Sequence, residues 1–583
     1  MTHQDSHPDR IAIRGGTVVD GSGGAPFKAD LELLDGRISK IGDVPEGLGE
    51  TIDATGRIVT PGFVDVHTHY DGQVTWTNQI APSSAHGVTT VVMGNCGVGF
   101  APCHPQDRTR LVQLMEGVED IPEIVFTEGL PWTWETFPEY MDFLASRRYD
   151  IDFGAYLPHA ALRVFAMGER GARREDATPE DRRAMRSLVA QAARAGAMGF
   201  STSRSMNHRS SDGSNTPMYQ AATQELVELA CGLKDAGAGL LQMAGVSDPV
   251  RDMQLLREMA MASGRPVSFS LAQSHQKPDE WRSVLRLMEA SVADGVNISA
   301  QVCGRSVGMT QGLDMSLHPF IFHPSYRAIA HLSLAERVAL MRGDALREKI
   351  LAEEPQPIGT ADPRAFERAV DLEGIYELGE PPNYEPSRDQ SIAARARAAG
   401  TTPLRLAYEL LLRDEGRLAL LRPIHNYAHN DLEVCRELLL HPNTNFGLGD
   451  GGAHLGYICD AGLPTFMLTY WTRDRAKGGL MPLPGVVKAL TSDLAQLMEM
   501  NDRGRIAVGL KADINVIDYE NLHLKRPHVM HDLPGGGRRL LQDVDGYDAT
   551  IVSGVVTQRR GKPTGMLPGR LVRGAAYRAA SSH

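Results

Sequence analysis

Between residues 61 and 450 the chain alternates short apolar runs with helix-like segments, and this alternation limits the fold more than any single motif. Strand and helix repeated in this way make a parallel sheet covered by helices. Eight strands can be read, ending near His69, Cys96, His159, Ser201, Gln242, His275, Cys303 and Asp450. Each ends in a polar or sulfur-bearing residue. Parallel barrels build their active sites at those C-terminal strand ends, from residues of several strands. The expected class is therefore α/β, a (β/α)8 TIM-like barrel with its site at that rim. Helix starts agree: Thr178-Pro179-Glu180-Asp181 carries a cap and a first-turn proline, and Ser333 with Glu336 forms a capping box. The gap between Cys303 and Asp450 is far longer than one repeat needs. The excess, about 305–420, is expected to be an insertion on the catalytic face and a candidate lid.

The first strand carries the strongest chemical signal. Residues 61–69 read Pro-Gly-Phe-Val-Asp-Val-His-Thr-His. Side chains two apart on a strand share a face. His67 and His69 therefore point the same way at the end of an apolar strand, as two ready metal ligands.

This stretch resembles the first barrel strand of the amidohydrolase superfamily, and within it the N-acyl-D-amino-acid deacylases. Asn95-Cys96-Gly97, Ser274-His275, Gly449-Asp450-Gly451, Asp502-Arg503-Gly504-Arg505-Ile506 and the segment Thr564 to Arg570 carry the likeness further, from about residue 11 to residue 574. The resemblance implies a metal-dependent hydrolase holding one or two zinc or similar ions. Its ligands would be His67, His69, Cys96, His275 and Asp450, with Asp450 also moving the proton of water. It implies a family motif at His159 and Arg163. The fifth strand departs from the pattern: Gln242 stands where a ligand histidine is expected, and Gly245 where an arginine is expected. An amide oxygen is a poor zinc ligand beside imidazole, so Gln242 is expected to complete the site weakly or to face substrate. Arg204 and Arg305 follow the fourth and seventh strands and are further candidates for a substrate carboxylate, since guanidinium binds it as a fork.

Both ends of the chain read as short strands. Leu31–Leu34 and Arg37–Ile41 flank Asp35-Gly36, a hairpin signal. Neither end can bury two sheet faces alone. A small β-sandwich built from residues 8–60 and 504–574 is expected, beside a barrel at 61–503. With 60 basic and 72 acidic residues, the net charge of −12 argues against a nucleic-acid partner. The six cysteines show no Cys-x-x-Cys pair. No apolar run is long enough to span a membrane, and the polar N-terminus is no secretory signal, so a cytoplasmic location is expected. Whether the chain forms a homo-oligomer is open.

The chemistry expected is hydrolysis of a linear C–N amide in a small molecule, such as an N-acyl amino acid, by metal-activated water. Two alternatives stay open: a cyclic amide, ester or lactone cleaved on the same barrel, or a binding homologue with reduced catalysis.

Overall fold

The structure is a computed structural model that describes residues 10–46, 49–358 and 364–578. Its centre is one sheet of eight parallel strands. In spatial order they are Phe63–Asp65, Val88–Met93, Asp152–Pro158, Gly199–Ser203, Leu240–Ala244, Val267–Ser270, Ile298–Val302 and Thr444–Phe446. Spatial order equals chain order, as right-handed βα units require. The sheet closes at the rim. The Asp450 amide donates to the His67 carbonyl at 2.9 Å, and the His69 amide donates to the Gly451 carbonyl at 2.8 Å. The first and eighth strands are thus joined through the residues that bear the predicted ligands. Gly449 is required there, because a Cβ would meet the Asp65 carboxylate at 2.1 Å.

The sandwich forms from both ends of the chain, as expected. One sheet has four strands: Arg37–Gly42, Asp30–Leu34, Arg10–Arg14 and Glu50–Asp53. The other has seven, and its centre pairs C-terminal Ile514–Ile517 with N-terminal Ile58–Pro61. Ile13, Leu31, Leu33, Val59, Ile514, Val516 and Ile551 fill the space between the sheets. The predicted hairpin pairs Leu34 with Arg37, and Asp35 and Gly36 both take positive φ, as a two-residue turn of that hand demands.

The segment after the seventh strand forms structure of its own. Val307–Gln311 pairs antiparallel with Leu420–His425, which also pairs with Tyr376–Glu377. Helices between them bury Phe320, Tyr326, Val338, Met341, Ile392 and Tyr408 in a core apart from the barrel's. This inserted sheet shifts one predicted strand end. The sixth strand stops at Ser270, five residues before His275. Past Leu271 the chain turns to the insertion instead: the Gln273 amide donates to Asn426 at 2.7 Å, and Ser274 bridges His425.

At the opposite, N-terminal end of the barrel, Asp152 is buried. It accepts from Arg503 at 2.6 Å and from the Arg570 amide at 2.9 Å, with Lys511 at 3.1 Å. The two ends of the chain are tied to the barrel floor there, where polar contacts serve stability rather than catalysis. The predicted caps are present at Thr178 and Ser333. All six cysteines are unpaired. Among the described residues no helix is long and apolar enough to cross a membrane.

Candidate metal centre and its cavity

His67 and His69 share one strand face, as the period of two requires, and the second strand brings Cys96 to them. Among the described residues these three offer ligand atoms within 4.8 Å of one another, all buried. His67 Nε2 lies 3.3 Å from Cys96 Sγ and 3.5 Å from Asp450 Oδ1; His69 Nε2 lies 3.7 Å from the same oxygen. Two imidazoles, a thiol and a carboxylate thus converge from strands one, two and eight. Cys96 and Asp450 both hold positive φ, at 58° and 44°. Such backbone costs energy in a non-glycine residue and gathers at functional sites.

Neighbours fix the orientation of each donor. The Gln301 Oε1 accepts from His67 Nδ1 at 2.8 Å, which leaves Nε2 unprotonated and turned to the cluster. His69 Nδ1 lies 3.2 Å from Glu119 Oε1, within ion-pair range, yet neither ring nitrogen has a hydrogen-bond partner. The Cys96 amide donates to Gln242 Oε1 at 3.2 Å. Ser201 accepts from the Gly97 amide and donates to the Gly94 carbonyl, so strands four and five clamp the cysteine turn.

Burial sets the charge state. It lowers His67 to about 4 and His69 well below its ordinary value. It raises the Cys96 thiol well above its ordinary range, and the Glu119 and Asp450 carboxylates push it further. Asp450 is raised by burial and then by Asp460 and Asp65. Neutral imidazoles are ready to donate lone pairs, and a cation would favour the thiolate and carboxylate forms. The donor set and the unpartnered His69 nitrogens suit a divalent cation.

The cluster opens into a cavity of about 410 Å³. Asp450, His454, His208 and Asn207 line its barrel side. Val307, Met309, Leu317, Phe322 and Arg368 from the insertion, with Ile424 from the strand Leu420–His425 that closes it, line the other. His208 Nδ1 meets Ser203 Oγ at 2.8 Å. His454 Nε2 lies 3.7 Å from Glu119 Oε2.

Several predicted site residues lie elsewhere. His275 lines a separate cavity with Asp371, Tyr376 and Arg422, because the sixth strand leaves the barrel before reaching it. The insertion brings His425 to the cavity instead. Gln242 is buried against the cysteine turn, its Oε1 taken up by the Cys96 amide. His159 bonds Thr202 and Glu225 at 2.9 and 2.8 Å, and Arg163 lies 3.5 Å from the same Glu225; this is a buried charge cluster away from the cavity. Arg305 is buried on Asp460 at 2.7 Å and stacks on Tyr384. Arg204 donates to the Ala221 carbonyl and lines a neighbouring cavity. Sequence reasoning missed Glu119 and Gln301, whereas His208, which follows the fourth strand in the sequence, does line the cavity. Only Gln301 left a trace, as a polar residue within the apolar seventh strand.

The model of the amidohydrolase family matches residues 50–558. A D-aminoacylase of Alcaligenes xylosoxydans xylosoxydans is 30% identical over 300 residues, a match that covers 50% of this chain and 57% of that protein. The N-acyl-D-aspartate deacylase of the same organism is 28% identical, covering 63% of this chain and 68% of that one. The crystal structure of a D-aminoacylase superposes with a TM-score of 0.64 at 20% identity, over 97% of this chain and 100% of that chain. The N-acyl-D-glutamate deacylase of Bordetella bronchiseptica, solved with zinc and a phosphonate inhibitor, gives 0.63 at 22% identity, over 97% and 99%. These likenesses establish the shared fold, and with a family match across most of its length the chain belongs to the amidohydrolase family.

Proposed function

We propose that this protein hydrolyses a linear amide of the N-acyl amino acid class, with one divalent ion, zinc, held by His67, His69, Cys96 and Asp450. The observation that carries the reading is the convergence of those four donors beside a cavity that Asp450 lines. The named activities of the relatives support the bond type. A single ion is favoured because Gln242 is engaged with the Cys96 amide and His275 stands in another cavity.

A bound divalent ion supplies Lewis acidity and lowers the pKa of water. The protein's own groups do the remaining work. Asp450 Oδ1, beside both Nε2 atoms, holds the proton taken from water and passes it to the departing nitrogen. Gln301 keeps His67 in the tautomer whose Nε2 faces the cluster. The apolar insertion wall lowers the local dielectric on its side of the cavity, which strengthens charge interactions there. The segment 305–420 is on this reading the selectivity wall rather than a subunit interface. Deleting it would change selectivity more than metal content.

Metal analysis of purified protein, followed by rates on N-acyl D- and L-amino acids and cyclic amides, tests the proposal. One zinc per chain with cleavage of a linear member is expected. Full metal occupancy with cleavage of cyclic amides alone would overturn it.

A further inference from the structure

Among the described residues, three histidines line the cavity beside Asp450: His208, His425 and His454. Two of them are engaged. His454 turns Nε2 towards Glu119 Oε2 at 3.7 Å, and its Nδ1 is shut away from solvent. The Gln273 backbone engages His425. His208 differs. Its Nδ1 is tied to Ser203 Oγ at 2.8 Å, and Nε2 is the nitrogen left to the cavity.

The hydrogen bonds around Ser203 assign the proton of that ring. Ser203 Oγ accepts from the Ser205 amide at 3.1 Å. Its own proton can go to His208 Nδ1 at 2.8 Å or to the Ala244 carbonyl at 3.4 Å. That carbonyl already accepts from the Arg204 amide at 3.0 Å. A hydroxyl donates best at about 2.7–2.8 Å, so the nearer imidazole takes the bond and Nδ1 accepts. Burial, and then the charge His67 could carry, lowers His208 to about 4. The ring is therefore neutral at pH 7, with its one N–H on Nε2.

The loop that carries His208 is braced. Arg209 bridges Asn215, and the Ser210 amide donates to the Ser214 carbonyl at 2.9 Å. The Ser211 amide donates to the Gln113 carbonyl at 3.0 Å, on the helix Arg108–Glu119. A side chain at Gly117 of that helix would run into the backbone of Arg209, Ser210 and Ser211, so helix and loop meet backbone to backbone. The helix that sets Glu119 behind His69 thus also fixes the place of His208.

We infer that His208 is a catalytic residue, whose Nε2–H donates to the carbonyl oxygen of the scissile amide and holds it as negative charge builds there. The inference rests on the amide-hydrolase reading for its substrate. Water oxygen bonds to the carbonyl carbon, and the π pair of C=O moves onto oxygen. That oxyanion accepts from Nε2–H, and His208 keeps its proton throughout. The pair then returns and the C–N bond breaks. Nitrogen leaves with the proton that Asp450 took from water, giving a carboxylic acid and an amine. A donor fixed in advance where charge develops stabilises the transition state more than the ground state. A neutral ring suits a place beside a cation, because it adds no like charge.

The test compares wild type, His208→Ala and His208→Gln, each loaded with zinc, on a linear N-acyl amino acid that wild type cleaves. His208→Ala should lose roughly 100- to 1,000-fold in kcat, the scale of one absent oxyanion donor. Its KM should stay within about threefold of wild type, with zinc content unchanged. His208→Gln keeps a neutral side-chain N–H and should recover about tenfold or more of the loss. A loss confined to KM, a loss that tracks zinc content, or a glutamine no better than alanine would overturn the assignment. Calorimetric titration with a phosphonate analogue of the tetrahedral intermediate reads the same bond without turnover. His208→Ala should bind it roughly 10- to 100-fold more weakly, the scale of a lost hydrogen bond to a charged group, and bind the amino-acid product as wild type does. Should wild type cleave no linear amide, the amide-hydrolase reading ends and the phosphonate decides on His208. Selective weakening in the variant keeps the donor; equal affinity, or no binding by wild type, ends it.

Discussion

Glu119 Oε1 lies 3.2 Å from His69 Nδ1, with both side chains shut away from solvent. The carboxylate comes from the last residue of the helix Arg108–Glu119 and supports the ring from behind. Glu119→Gln keeps the shape and removes the charge. Metal affinity should fall about 10- to 100-fold, the usual effect of losing a group that supports a ligand histidine. Competition with a chelator reads the change, and unaltered affinity would remove Glu119 from the centre.

His67→Ala and His69→Ala should each abolish turnover and lower bound metal, while Asp450→Asn should keep the fold and lose two orders of magnitude or more, on the scale of an absent general base. Chelation of the wild type should reproduce the loss, and zinc should restore it. A histidine variant that keeps both metal and rate would refute the ligand assignment. A tenfold loss or less in Asp450→Asn would take the proton role from that residue.

Gln242→Leu should weaken metal binding without removing any ligand. The Cys96 amide would lose its acceptor, and an unpaired buried amide costs about 1–3 kcal/mol. Cys96 already holds positive φ, so its turn has little strain to spare. Zinc titration compares the proteins. Gln242→His places an imidazole beside the cysteine turn and should raise zinc affinity or stoichiometry, because imidazole is the better ligand. Equal zinc binding in both variants and wild type would separate Gln242 from the centre.

Asp152 offers a stability test away from the chemistry. Burial alone would raise its carboxyl, but Lys511 and Arg503 outweigh that and hold it below its ordinary value of 3.8. A carboxylate depressed on folding contributes stability above its unfolded pKa and loses that contribution as pH falls through the folded one. Asp152→Asn should therefore lower Tm at pH 7 and at pH 5 by the same amount, on the scale of the roughly 3–5 kcal/mol lost when a buried ion pair is broken. The gap should narrow below pH 4. Melting curves at several pH values check this, and a gap that widens in acid would contradict it.

The legible parts of this protein are those governed by local periodicity. His67 and His69 share a face because strands repeat every two residues, and the Asp35-Gly36 hairpin and the Thr178 and Ser333 caps follow from their own few residues. What was hidden depends on distant partners. Nothing near Glu119 announces that it will support a histidine 50 positions earlier. His159 and Arg163 follow a strand end, yet Glu225, from a helix 66 residues past His159, draws them into a buried charge cluster. His275 was misplaced because Asn426, 153 residues past Gln273, pulls the chain off the barrel at the sixth strand.

The backbone bonds joining His67 to Asp450 and His69 to Gly451 have a consequence for biosynthesis. A ribosome has emitted more than three-quarters of the chain before the fourth donor exists, and the first strand must wait for it with two histidines already in place. On the proposed ligand set, cation capture is a late event, coincident with the joining of the first and last strands. A truncated or stalled product would carry the histidines without holding metal tightly, so metal retention during synthesis marks the chains that have completed their ring.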